Sequence, residues 1–174
     1  MYKAVTDIIN GFKQSWKQYL FQSFLATIVI FGVFLALRLE RLLITVSIGA
    51  TAFIIFAMPK NITASPKNVI GGHMVGFIAG FLFALIPHKS FLFSAFIYSL
   101  AVGFSIFMMV TLNVEHPPAS ATALGVAMKG FSWKIAIFFF ISVTILLIVQ
   151  FYFKRFLQCL VYGGSIGFYG KEAK

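Results

Sequence analysis

Two segments of the sequence combine hydroxyl side chains with very small neighbours, residues 47–51 and 119–122. If each segment begins a helix, its first backbone N–H groups have no partner within that helix and carry a partial positive charge. Helix N-termini of this kind bind anions. The pattern therefore predicts a binding site for a small anion. Its candidate ligands are Ser47, Gly49, Ala50, Thr51, Ala119, Ser120, Ala121 and Thr122.

Three titratable residues are candidates for contacting the ligand or for proton coupling: His73, His116 and Glu115. Imidazole changes its charge close to physiological pH, so either histidine could bind the ligand or carry a proton. Alternatively, His116 orients the Pro-Pro turn that follows it, and His73 bonds a neighbouring helix. A carboxylate beside an anion site would repel the substrate, which favours Glu115 at a water-facing rim. Pairing with His116 or a lysine is its alternative.

The motif content disfavours catalysis. The chain has no HExxH, GxSxG or glycine-rich phosphate loop. The single cysteine, Cys159, excludes an internal disulfide and a CxxC site. We therefore expect no enzyme activity, no catalytic residue, no metal and no cofactor. A bound metal would revive the alternative of a membrane enzyme using Glu115 and the two histidines.

Composition places the chain in a lipid bilayer. Of its 174 residues, 60% are hydrophobic and 10% are charged, whereas a soluble domain has roughly a quarter charged residues. The mean hydropathy is +0.97, and lipid must cover apolar surface that one small core cannot hide. The net charge of +10 is scattered among hydrophobic segments. It forms no basic stripe, so we expect no nucleic-acid partner.

The hydrophobic pattern divides the chain into three parts. Residues 1–19 have apolar positions at helical spacing among lysines, which predicts an amphipathic helix at the membrane interface. Packing on a partner chain is the alternative for this helix. Residues 20–153 form a single membrane domain, and residues 154–174 a basic cytoplasmic tail. The six hydrophobic segments of the domain are residues 20–37, 42–58, 69–87, 91–112, 118–128 and 135–153.

The six segments are predicted to form two repeats, about residues 20–87 and 91–153. Adding 71 to the residue number carries the start of the first segment onto that of the fourth, and residues 50–53 onto 121–124. Three crossings per repeat would invert the second repeat relative to the first, as in many transporters. The expected fold is thus an all-α membrane protein built from two inverted three-segment repeats.

Two of the segments are predicted to be half-helices. Proline fits the first turn of a helix, so a helix should begin at Pro118. Its 11 residues to Met128 span about 17 Å, half of a bilayer core. The equivalent start is Ser47, a good N-cap, with residues 42–46 extended before it. Half-helices from opposite faces would bring their N-termini together near the midplane.

Positive charges predict the orientation, because Lys and Arg favour cytoplasmic loops. With six crossings and the N-terminus inside, nine Lys and Arg residues lie inside and five outside. Both termini are therefore predicted to be cytoplasmic, in a prokaryotic inner or plasma membrane. The nine inside are Lys3, Lys13, Lys17, Lys60, Lys67, Lys154, Arg155, Lys171 and Lys174.

Gly72, Gly76 and Gly80 form a GxxxGxxxG face on the third segment. Glycines at this spacing let another helix backbone approach closely. The face predicts tight helix packing, and it is also a candidate surface for homo-oligomer formation.

Three motifs resemble those of the HPP family of integral membrane proteins. In chain order they are residues 47–52 (SIGATA), 66–73 (PKNVIGGH) and 115–124 (EHPPASATAL), which is also their order in the family. Relatives in plastids and cyanobacteria are associated with nitrite transport, so the resemblance implies a small-anion activity. The leading hypothesis is a transporter or channel for a small monovalent anion such as nitrite. The alternatives are an assembly subunit of a membrane complex and, less favoured, a membrane enzyme.

Overall fold

The computed structural model describes residues 2–37, 42–87 and 90–160, with side chains for residues 16–33, 35, 46–87 and 90–160. Every regular element in these ranges is helical, which confirms the all-α prediction. A 3-10 turn, Ile62–Ala64, precedes α3. The six α-helices are α1 (Tyr2–Leu37), α2 (Leu42–Ala57), α3 (Pro66–Ala84), α4 (Phe91–Thr111), α5 (Pro118–Lys129) and α6 (Trp133–Phe153).

Three helices in the described ranges are long and apolar enough to cross a membrane: α3, α4 and α6. Large apolar side chains such as Phe91, Phe107 and Phe151 are exposed on the outer surface. Water penalises such a surface and lipid accommodates it. α1 is one helix of 36 residues that contains both the predicted interfacial segment and the first span. The predicted domain boundaries stay predictions. The predicted basic tail, residues 154–174, also stays a prediction, and its part beyond residue 160 lies outside the described residues.

The structure corrects the start of α2. Residues 42–46 were expected to be extended, but the helix begins at Leu42 and has 16 residues, about 24 Å. Lipid offers no hydrogen-bond partners, so backbone at membrane depth must bond internally. This outweighs the weak helix propensity of β-branched residues, which costs at most about 0.7 kcal/mol each. Ser47 is therefore inside α2 and does not cap it.

The short helix predicted at Pro118 is confirmed. α5 begins directly after Pro117, has 12 residues and ends at Lys129. Gly130, the residue after the helix, has φ 79°, a backbone conformation that glycine adopts without strain. At about 18 Å, α5 covers little more than half of a bilayer core.

The glycine face of α3 packs against α5 of the same chain. A Cβ built at Gly72 would lie 2.7 Å from the His116 Cβ, and one at Gly76 would collide with the Ala119 carbonyl. Gly72 is six residues into α3, so α5 begins about 9 Å along that helix. Close packing at this face is thereby confirmed. Within the chain, α5 occupies this face. A homo-oligomer through Gly72, Gly76 and Gly80 stays a prediction.

The contacts between helices are compatible with the predicted repeat. α2 packs on α1, α5 and α6, and α5 packs on α4, α2 and α3. α6 contacts α1 and α3, and α3 contacts α4 and α6. If α1, α2 and α3 are exchanged with α4, α5 and α6, respectively, every helix pair in contact becomes another helix pair in contact. A two-fold axis between the two repeats would give this symmetry. The inverted repeat itself stays a prediction.

Candidate functional site

Five polar side chains are completely buried where α2 and α5 cross beside α3. They come from α2, α3, α5 and the loop before α5, and each has an exposed fraction of 0%. We call them the hydroxyl–imidazole cluster: Ser47, Thr51, His73, His116 and Thr122. The sequence singled out all five, and the structure brings them together.

His73 links the two halves of the cluster. Its Nε2 lies 2.9 Å from the Thr51 Oγ1, and its Nδ1 lies 3.0 Å from the Thr122 Oγ1. The ring of Phe139, from α6, packs against the imidazole at an interplanar angle of 74°, with the ring centroids 4.7 Å apart. Both ring nitrogens of His73 are thus held by hydroxyls, and an apolar wall fixes the ring plane.

His116 connects the cluster to the 3-10 turn. Its Nε2 lies 3.1 Å from the Thr51 Oγ1, and its Nδ1 lies 2.8 Å from the carbonyl oxygen of Thr63. The two imidazole rings meet edge to face, with centroids 4.8 Å apart. The loop between α4 and α5 is therefore fixed against the residues that precede α3.

Ser47 closes the cluster on the α2 side. Its Oγ donates to the Pro118 carbonyl at 2.7 Å and lies 2.7 Å from the Thr122 Oγ1. The Thr51 hydroxyl also reaches the Ser47 carbonyl at 2.9 Å. Across the described side chains, no buried polar atom lacks a hydrogen-bond partner. The cluster is closed to solvent and fully bonded.

Asn68 and Glu115 form the rim of the cluster. The Asn68 Nδ2 donates to the Glu115 carbonyl at 3.1 Å, and the Glu115 Oε2 lies 3.5 Å from the same nitrogen. The hydroxyl of Ser65 caps α3 by accepting from the Asn68 N–H at 3.3 Å. Glu115 is half-buried, so its carboxylate lies between the cluster and the surface.

The predicted pair of free helix N-termini is absent from the described part of the chain. The Ala119 amide donates to His116 O at 2.9 Å, and the Ser120 amide donates to Pro117 O at 3.1 Å. Gly49 and Ala50 lie inside α2 and are exposed. The cause is that α2 starts before Ser47 and that a tight turn opens α5. Substrate binding by the predicted ligand residues, including the half-buried Ser120 and Ala121, stays a prediction.

Sequence reasoning missed two residues that contact the cluster, Thr63 and Phe139, and one buried polar residue elsewhere in the fold, Gln22. Thr63 acts through its backbone carbonyl, which no side-chain pattern reveals. Phe139 is one of 23 phenylalanines, and nothing in its spacing marks it. Gln22, only 1% exposed, donates to the carbonyl oxygens of Phe56 and Gln158. An amide within an apolar segment was the available signal for Gln22.

Neither a metal nor an apolar ligand is suggested by this cluster. Within residues 2–37, 42–87 and 90–160, no three His, Cys, Asp or Glu side chains form a group that could hold a metal. A groove of about 850 Å³ lies elsewhere, between α3 and α6, and is lined mainly by side chains such as Phe77, Phe140 and Ile141. Its apolar lining offers an anion no charge.

The fold and the buried cluster define a helical integral membrane protein. The transmembrane region of the HPP family matches residues 12–160. The chain therefore belongs to the HPP family, as its three motifs indicated.

Two proteins of Dictyostelium discoideum, named only as transmembrane proteins, are similar to part of the chain. One is 36% identical over 100 residues, which are 58% of this chain and 35% of that protein. The other is 29% identical over 106 residues, which are 60% of this chain and 34% of that protein. The chain thus aligns with about a third of each relative's length. No solved structure gives a significant match.

Proposed function

We propose that this protein is a transporter or channel for a small monovalent anion, with nitrite as the leading substrate. One observation carries the proposal: five fully buried hydroxyl and imidazole side chains at the crossing of α2 and α5. Polar groups inside a membrane domain are costly and typically mark substrate or ion pathways. Nitrite comes from the family resemblance alone.

Hydroxyls and imidazole N–H groups supply the donors that an anion needs. Thr51 and Thr122 bond His73 from opposite sides, and both hydroxyls could turn toward a ligand. Since the cluster is closed, helices must separate before a solute reaches it. We expect α5 to move, because its 12 residues make it the shortest of the six α-helices in the described ranges. The proposal includes no catalytic step and no cofactor.

The proposed orientation places both termini in the cytoplasm of a prokaryotic cell. Alternating crossings put the loops before α3 and before α5 on the same side. Two contacts between these loops support that arrangement: His116 with Thr63 O, and Asn68 with the Glu115 carbonyl. The charge bias then assigns that side to the cytoplasm.

The test is uptake by proteoliposomes containing the purified protein. Nitrite, nitrate, formate, bicarbonate and chloride are supplied separately, with protein-free liposomes as the control for passive leakage. The proposal predicts saturable uptake of at least one of these anions. Absence of saturable flux for all five would remove it. An assembly subunit would bind partners through the glycine face and the N-terminal helix. α5 packs against the first of these surfaces, which favours transport over that alternative.

A further inference from the structure

An anion that enters the cluster needs a compensating positive charge. The free helix amides first expected to supply it are bonded within the turn that opens α5. Lys60 and Lys67 are exposed. The remaining groups in the cluster that can become cationic are the imidazoles of His73 and His116.

The Thr63 carbonyl fixes the direction of the hydrogen bonds. A carbonyl only accepts, so the Nδ1 of His116 must carry a hydrogen. In the neutral ring, the Nε2 of His116 is then an acceptor. Its partner is the Thr51 hydroxyl, which can donate either to this nitrogen or to the Ser47 carbonyl. Donation to the nitrogen leaves no buried acceptor unpaired, because the carbonyl lies within α2 and accepts a helical hydrogen bond. Because Thr51 has one hydrogen, His73 donates from Nε2 to Thr51 and accepts at Nδ1 from Thr122. The Thr122 oxygen then shares the hydrogen of Ser47 with the Pro118 carbonyl.

One added proton can be accommodated by turning a single hydroxyl. When a proton from water binds the Nε2 lone pair of His116, a new N–H forms and donates to Thr51. The Thr51 hydrogen then turns to the Ser47 carbonyl, which already lies 2.9 Å away. His73 continues to donate to the second lone pair of Thr51. Every polar atom keeps a partner, so protonation leaves no buried group unsatisfied.

A second proton would be opposed by charge repulsion. The two imidazole centroids are 4.8 Å apart in a buried setting, where like charges interact strongly. Among the other charged residues of the surrounding elements, Glu115 is half-buried, and Lys60 beside the 3-10 turn and Lys134 on α6 are exposed. Lys67 on α3 and Lys129 on α5 are exposed. The cluster can therefore hold at most one positive charge. Because burial lowers the pKa of His116 to about 4, an anion beside the ring is needed to keep that charge near neutral pH.

We propose that the cluster binds one proton at His116 together with one anion, and that the protein moves the two as an electroneutral symporter. The proton is taken from water on one side and returned to water on the other. This inference rests on the proposed function, because it assigns the coupling ion of the same site. Thr51 is the residue whose hydroxyl changes direction when the proton binds.

The experiment measures nitrate uptake into proteoliposomes under two separate driving forces. Nitrate is used because its conjugate acid is strong, so little neutral acid leaks through the lipid. A pH gradient of about one unit at zero voltage should drive roughly tenfold accumulation, since one pH unit is a tenfold difference in proton concentration. A voltage of about 59 mV without a pH gradient should drive none, although it would drive a uniporter tenfold.

Two variants and one control complete the design. His116→Gln and Thr51→Val should abolish the response to the pH gradient, and Thr27→Val on the exposed face of α1 should retain it. Uptake driven by voltage and indifferent to pH would overturn symport while leaving anion transport intact. No saturable nitrate uptake, with none for the other anions, would remove the proposed function as well. The wild-type result decides the matter even if a variant fails to fold.

Discussion

Ser47 donates a hydrogen bond to the carbonyl of Pro118, the residue exactly one repeat offset of 71 positions later in the chain. The same offset relates Thr51 to Thr122, and His73 bonds both of those hydroxyls. Residues that a two-fold axis relates lie close together near that axis. The offset derived from the sequence thus coincides with contacts at the crossing of α2 and α5, which supports the proposed repeat.

Replacing Thr122 with valine should disable the cluster. The change leaves the His73 Nδ1 without a donor and removes a partner of Ser47, at a cost of about 1–3 kcal/mol for an unsatisfied buried group. We expect a lower melting temperature in detergent and loss of anion uptake. Thr27→Val is the matched control, because the Thr27 hydroxyl is exposed and bonds only within α1. Equal behaviour of the two variants would contradict the assigned role.

Gly76→Ala should destabilise the contact between α3 and α5. The added methyl group would collide with the Ala119 carbonyl and approach the Thr122 side chain. Overpacking of this kind typically costs about 1–3 kcal/mol. Gly103→Ala on α4 is the control, since nothing lies within 4 Å of its Cβ position. Thermal unfolding in detergent measures both. If the Gly76→Ala variant is as stable as the Gly103→Ala variant, α3 and α5 are not closely packed at Gly76.

Gln22→Ala should release the chain after α6. The amide of Gln22 joins Phe56 to both the carbonyl and the N–H of Gln158. Without it, we expect faster hydrogen exchange at residues 157–160 than in the wild type. Gln18→Ala, four residues earlier on α1, should leave that exchange unchanged. If residues 157–160 of the Gln22→Ala variant exchange at the wild-type rate, the hydrogen bonds of Gln22 are not needed to hold this segment.

Lys60 and Lys134 should lie on opposite sides of the membrane. Single-cysteine variants, Lys60→Cys and Lys134→Cys, are made in a Cys159→Ser background and labelled with an impermeant maleimide on intact cells. Both positions are exposed in the fold. The orientation predicts labelling of the cysteine at 134 from outside and of that at 60 only after permeabilisation. The reverse pattern would place the termini outside.

Some of this structure could be predicted from local sequence. The start of α5 follows from Pro117 and Pro118, because proline restricts where a helix can begin. The members of the cluster stood out because imidazoles and hydroxyls between small residues are conspicuous in an apolar chain. The proximity of Ser47, Thr51 and Thr122 required only that the two matched segments meet, whereas that of the two histidines depended on the packing of α3 and of the loop before α5.

Other features depended on tertiary context. Ser47 looks like a helix cap, but in lipid the preceding residues gain more from helical hydrogen bonds than their propensity costs. The glycine face of α3 predicted a close neighbour without saying that α5 would be that neighbour. The bond from His116 to Thr63 uses a backbone carbonyl, and the sequence cannot show which carbonyl a distant imidazole will reach.

The central claim, that the hydroxyl–imidazole cluster carries an anion, is tested most directly at Thr51. Anion uptake is compared for wild-type, Thr51→Ser, Thr51→Val and the control Thr27→Val proteins, each reconstituted at equal amounts and checked for folding. Thr51→Ser keeps the hydroxyl that both histidines contact, and it should transport within about threefold of the wild type, whereas Thr51→Val should lose tenfold or more. Unimpaired saturable uptake by a folded Thr51→Val protein would contradict the claim.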